Sequence, residues 1–222
     1  MELRPLTLNV GPDQKISAVL GVPKSATLDA ILVLGHGANN DMDNPLITGV
    51  HVALAREGVV TVRFNFPYKE EGRKHPDPDP VLEGAFRLVV EYVGEMEEFK
   101  GLEMFLGGKS MGARIAAQIV AQDVGASGLV FLGYPLHAPG KPEKLRDQPL
   151  YQLPCPALFI QGGRDPFCNF DRLGPVLSQM PVSSTLHVLP GLGHSYEPPG
   201  GHMAPETLDE VNRVILGWLD SL

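Results

Sequence analysis

Three residue types suited to acyl transfer stand far apart in the chain. They are Ser110 in Gly108-Lys109-Ser110-Met111-Gly112, Asp165 in FIQGGRDPF and His194 in PGLGHSYEPP. A serine hydroxyl is a poor nucleophile until an imidazole accepts its proton. A carboxylate on the far ring nitrogen then fixes the tautomer and stabilises the imidazolium. Each residue also has an ordinary reading. Serine is a good helix N-cap, glycines are common in strand-to-helix turns, and an aspartate before proline makes a turn. His51, His75 and His187 fall in a helix pattern, a polar loop and a strand. Asp171 is the rival carboxylate, placed where it would cap the next helix.

The elements that must position these residues separate the two readings. Ala30–Leu34, Val59–Phe64, Leu102–Leu106, Leu129–Leu132, Ala157–Ile160 and Thr185–Leu189 are short apolar runs, mostly without polar alternation. That is the pattern of strands buried on both faces of a parallel sheet. Leu3–Val10 and Lys15–Val22 alternate more and predict an antiparallel hairpin at a sheet edge. Helices are expected over Asn44–Arg56, Met111–Ala121 and Pro205–Leu222. Another is expected over Val81–Met96, where Val81, Ala85, Val89 and Val93 recur on one apolar face. Strands alternating with helices predict a single doubly wound α/β domain over residues 1–222. Ligands on such sheets bind at the carboxyl ends of the strands. Ser110, Asp165 and His194 each follow a predicted strand, in the Ser–Asp–His chain order of α/β hydrolases.

Attack on an acyl carbon creates an oxyanion. The elbow offers the Met111 N–H, and a second donor is expected from the loop Gly35-His36-Gly37-Ala38-Asn39-Asn40, with the Ala38 N–H favoured. Composition narrows the field further. With 222 residues, 43% apolar and 20% charged, the chain suits one soluble domain. Its formal net charge of −8 argues against a nucleic-acid partner. No apolar run reaches the roughly 20 residues of a membrane span. The start, MELRPLTLNV, lacks the apolar stretch of a secretory signal, so a cytoplasmic protein is expected. Cys155 and Cys168 are expected to remain thiols, and no Cys/His grouping has zinc-ligand spacing, so neither metal nor cofactor is expected. Small cationic groups gather at Lys69, Arg73 and Lys74 and at Lys141, Lys144 and Arg146; their ordinary reading is a solvated face.

The stretches LVLGHGANNDMDNP, RFNFPY, GGKSMGAR, LGYPLHAPGKPEKLR and QGGRDPF run from about Leu32 to His194. Together they resemble one branch of the α/β-hydrolase superfamily. That branch is shared by bacterial dienelactone-hydrolase-like proteins, testis-expressed protein 30 and a scaffold subunit of a histone acetyltransferase complex. The resemblance implies the α/β-hydrolase fold and a triad of Ser110, Asp165 and His194. It names no substrate. Dienelactone hydrolases carry a cysteine at the elbow where this chain has Ser110, and its loop reads His-Gly-Ala-Asn rather than His-Gly-Ala-Gly.

About 20 residues separate the strand ending at Leu132 from the next, with Pro135, Pro139, Pro142 and Pro149 among them. That suffices for a loop and a short helix near Glu143–Arg146 but not for a lid domain. The other rim, Asn65–Pro80, reads as a solvated loop. An open site is therefore expected, lined by Tyr68, Tyr134 and His137 and suited to a small acyl substrate. The leading functional reading is a serine hydrolase of carboxylic esters or thioesters. A non-catalytic interaction module and a serine peptidase are the alternatives, and the oligomeric state is left open.

Overall fold

The computed structural model describes residues 1–11, 14–25 and 27–222. Its apolar runs pair into one eight-stranded sheet: β1 (Glu2–Asn9), β2 (Lys15–Val22), β3 (Ala30–Gly35), β4 (Val60–Phe64), β5 (Glu103–Lys109), β6 (Gly128–Leu132), β7 (Ala157–Gly162) and β8 (Ser184–Leu189). The spatial order is β1-β2-β4-β3-β5-β6-β7-β8. β1 and β2 form the antiparallel edge hairpin, β2 meets β4 antiparallel, and the other neighbours are parallel.

Among the described residues, six α-helices flank the sheet: α1 (Pro45–Arg56), α2 (Pro67–Glu70), α3 (Asp79–Gly94), α4 (Met111–Gln122), α5 (Phe170–Gln179) and α6 (Pro205–Leu219). Successive strand side chains point to opposite faces, so one strand feeds two layers. Ile31 and Val33 pack in the layer built with α3, α4 and α5. Ala30, Leu32 and Leu34 pack in the other, with α1 and α6. This double burial is why the central strands carry uninterrupted apolar runs. Each large apolar side chain so buried contributes about 1.5–3 kcal/mol.

The expected elements differ from the structure in several places. β5 extends through Gly107–Lys109, because the glycine pair still holds strand pairings: Gly108 pairs with Gly35 on β3, and Lys109 with Leu132 on β6. Val81 is exposed in the first turn of α3, whose buried face is Leu82, Ala85, Phe86, Val89 and Val93. Asn169, not Asp171, caps α5, its Oδ1 accepting the Arg172 N–H at 3.1 Å. No helix forms at Glu143–Arg146. Leu145 instead bridges His137, the Arg146 N–H donates to Leu136, and the helical residues of this connection are a 3-10 turn at Gln148–Gln152. The β6–β7 connection therefore carries no lid.

Cys155 and Cys168 are separate buried thiols, and burial pushes their pKa values up to about 11 and about 12. Among the described residues, no helix is long and apolar enough to cross a membrane.

Candidate active site

Ser110 terminates β5 and opens α4 with φ 53° and ψ −109°, a conformation that a side chain rarely adopts. Such strain is held only where the surroundings over-determine it. Here the surroundings are the glycines on either side. A Cβ at Gly108 or at Gly112 would collide with the Gly35 carbonyl oxygen, so only glycines let the turn close against β3. The Ser110 hydroxyl makes no capping bond to α4, so it is not spent on the helix. It lies 2.8 Å from Nε2 of His194 instead.

His194 reaches Ser110 from the loop after β8. Its Nδ1 lies 2.7 Å from Oδ2 of Asp165, which sits just beyond β7. Gly133, at φ +71°, adjoins His194: a Cβ there would lie 3.2 Å from the His194 carbonyl oxygen and 3.5 Å from the ring. Phe167 lies against the imidazole with ring centres 4.3 Å apart and planes tilted by 33°. The Asp165 side chain is fully buried, whereas His194 keeps 14% of its side chain accessible. A buried carboxylate must be hydrogen-bonded. Asp165 accepts the Phe167 N–H on Oδ1 at 2.8 Å and the Gln161 amide on Oδ2 at 2.5 Å. The structure thus brings Ser110, His194 and Asp165 into one hydrogen-bonded chain at the carboxyl edge of the sheet. Asp171 lies in the first turn of α5, exposed and outside this chain.

The loop after β3 passes beside the serine. A Cβ at Gly37 would lie 3.7 Å from the Ser110 Cβ. Among the described residues, neither the Ala38 N–H nor the Met111 N–H donates to a protein acceptor. The Met111 N–H is also at the positive end of the α4 dipole. The loop is braced from below. His36 is buried, its Nδ1 donating to the Gly37 carbonyl at 2.8 Å and its Nε2 accepting the Phe66 N–H at 3.1 Å. Burial pushes its pKa down to about 4, so the ring is neutral, as the bond from Phe66 requires.

Tyr68, Tyr134 and His137 do not line the site; all three rings are buried. The Tyr68 hydroxyl donates to the Ala38 carbonyl at 2.8 Å, bracing the loop after β3. The Tyr134 hydroxyl donates to the Arg146 carbonyl at 2.7 Å. His137 bonds the Ala138 carbonyl through Nδ1 at 2.9 Å, and its Nε2 accepts the Asn169 N–H at 2.9 Å. Each polar tip found a backbone partner behind the cavity wall, where an unpaired one would be costly. Burial raises the pKa of both tyrosines, so the hydroxyls stay donors.

The cavity in front of Ser110 and His194 has a volume of about 650 Å³. Its walls include Asn40, Asp77, Lys109, Arg114, Arg146 and Phe167. The rim read as a solvated loop therefore contributes Asp77 to the site, and buries Phe66 and Tyr68. Sequence reasoning did not assign Gln161, Phe167, His36 or Lys109. Lys109 carried one visible signal, its place in the elbow beside Ser110. It is buried, and burial lowers its pKa against the opposing charges of Asp165 and Glu197.

A mostly parallel sheet that gathers a serine, an aspartate and a histidine beyond β5, β7 and β8 has the architecture of an α/β hydrolase. The family described as "Alpha/beta hydrolase domain" matches residues 28–220, and the chain belongs to it. Among solved structures, a dienelactone hydrolase from Anabaena variabilis is similar over 99% of this chain and 97% of its own, with a TM-score of 0.81 at 21% identity. An α/β serine hydrolase without a lid from Xanthomonas campestris has a TM-score of 0.77, also at 21% identity, over 99% of this chain and 94% of its own. Est1E from Butyrivibrio proteoclasticus has a TM-score of 0.73 at 16% identity, over 97% of this chain and 99% of its own. At these identities the likeness is one of fold.

Proposed function

We propose that this protein is a serine hydrolase that cleaves small carboxylic esters or thioesters through an acyl-enzyme on Ser110. The observation that carries this reading is the unbroken contact chain from Ser110 Oγ to His194 Nε2 at 2.8 Å and from His194 Nδ1 to Asp165 Oδ2 at 2.7 Å. Ser110 Oγ attacks the carbonyl carbon as its proton passes to Nε2. The new oxyanion faces the N–H groups of Met111 and Ala38. Collapse breaks the bond to the leaving alcohol or thiol, which takes the proton from the imidazolium. Water then attacks the acyl-enzyme with His194 again as the base, releasing the acid and restoring Ser110. Asp165, held by Gln161 and Phe167, keeps the ring turned toward Ser110. The names of the Anabaena and Xanthomonas neighbours, a dienelactone hydrolase and a serine hydrolase, agree with this chemistry.

A fluorophosphonate probe followed by an ester and thioester panel tests the reading. Labelling is expected in the wild type and absent in Ser110→Ala, together with loss of turnover. An inert wild type across probe and panel would favour the interaction-module alternative.

A further inference from the structure

The loop between β3 and α1 holds a polar side chain that the steps above do not use. Asn40 lines the cavity in front of Ser110 and His194. Its backbone N–H donates to the Gly37 carbonyl at 3.1 Å, closing a turn that folds residue 40 back over Gly37. The space that a Gly37 Cβ would take is bounded by Asn40 Nδ2 at 3.4 Å, the Lys109 carbonyl oxygen at 3.6 Å and the Ser110 Cβ at 3.7 Å. The Asn40 amide and the candidate nucleophile therefore border the same gap, which glycine leaves open.

Which end of the amide faces the gap is decided by a relay from α1. Asn44 caps that helix, its Oδ1 accepting the Leu46 N–H at 3.2 Å. That leaves Nδ2 of Asn44 to meet Asn40, and it donates to Asn40 Oδ1 at 2.8 Å. Reversing the Asn40 amide would set two NH2 groups against each other. Asn40 thus presents its donor to the gap. Among the described residues, this NH2 group has no hydrogen-bond acceptor. A neutral donor fixed at its other end and lacking a partner suits a charge that develops only during reaction. Its bond to an ionised acceptor is roughly twice as strong as one to a neutral carbonyl, and no reorganisation is needed to form it.

Resting on the hydrolase reading above, we infer that Asn40 is a further catalytic residue. Its Nδ2 donates to the oxyanion formed when Ser110 attacks, beside the N–H groups of Met111 and Ala38. Asn44 touches no reacting atom; it is the positioning residue that aims the amide.

The test measures kcat and KM on p-nitrophenyl acetate, and Ki for trifluoroacetone, in the wild type, Asn40→Ala, Asn40→Asp and Asn44→Asp. Trifluoroacetone takes up Ser110 Oγ as a tetrahedral oxyanion. Urea midpoints report whether each variant folds. Asn40→Asp keeps an acceptor for Asn44 but offers the gap no donor. Both Asn40 variants are expected to lose about 10²-fold in kcat with KM little changed, the scale of one oxyanion donor, and Ki should rise by a similar factor. Asn44→Asp keeps the α1 cap, because aspartate caps as well as asparagine. Its second oxygen draws the Asn40 NH2 group away from the gap, so kcat should fall about tenfold. Wild-type kcat and Ki in folded Asn40 variants, or a rise in KM alone, overturn the inference while leaving the hydrolase reading intact. Wild-type kcat and Ki in Asn44→Asp overturn the aiming of the amide, and overturn the whole inference if neither Asn40 variant folds. If the wild type neither turns over the ester nor takes up trifluoroacetone, the hydrolase reading fails and this inference falls with it.

Discussion

Gly108 and Gly35 approach so closely, across paired positions of β5 and β3, that a methyl group on Gly108 would strike the Gly35 carbonyl oxygen. The φ of Gly108 is +147°, which side chains also disfavour. The strained Ser110 turn depends on this contact. Gly108→Ala is therefore expected to lose roughly 2–6 kcal/mol, combining backbone strain with overpacking. Urea unfolding measures the loss, and an unchanged midpoint would show that the approach is not needed.

Asp165→Asn should lower kcat by about 10³–10⁴, because the amide presents the wrong partner to Nδ1 of His194. Asp171→Asn should leave turnover as it is, since Asp171 is exposed in the first turn of α5. Steady-state kinetics on one neutral ester separates the two. A larger loss in the Asp171 variant would reassign the carboxylate.

Tyr68→Phe removes the hydroxyl that holds the Ala38 carbonyl at 2.8 Å. The ring stays buried, so stability should fall by only about 1 kcal/mol. Ala38 offers its N–H from the same loop, so kcat should fall about tenfold with KM little changed. A change in KM alone would place Tyr68 in substrate binding.

Acid should destabilise the fold through two buried histidines. Burial lowers the pKa of His36 to about 4 and, with a smaller push from Arg63, that of His51 to about 4. An unfolded histidine titrates near ~6.5. Between about pH 4 and 6.5 the unfolded chain therefore binds more protons, and stability is lost as pH falls through this window. Each histidine is expected to contribute roughly 2 kcal/mol of loss between pH 7 and pH 5. His51→Leu removes one titrating group, so its drop should be smaller than that of the wild type by about that amount. Equal drops in urea unfolding at the two pH values would refute the assignment.

The positions of Ser110, Asp165 and His194 were legible because strand ends are legible: a buried strand announces itself by an apolar run, and the next residues emerge at one edge of the sheet. Glycines at 108 and 112 carried a second local signal. The directions of Tyr68, Tyr134 and His137 had no such signature. They lie in aperiodic segments, where a side chain turns toward whichever backbone group needs a partner, and those partners, on Ala38, Arg146, Ala138 and Asn169, are set by the folded chain. Arg146 was visible only as one of three cations. What distinguishes it from Lys141 and Lys144 is its place on the cavity wall and the anchoring of its backbone by Leu136 and Tyr134.

The central claim is that Ser110 carries the acyl group. Rapid quenching of the protein with p-nitrophenyl acetate, followed by peptide mass spectrometry, tests it most directly. The account predicts an acetyl group on Ser110, formed in a burst ahead of steady turnover and absent in Ser110→Ala. Acetylation of another residue with turnover intact in Ser110→Ala would contradict it.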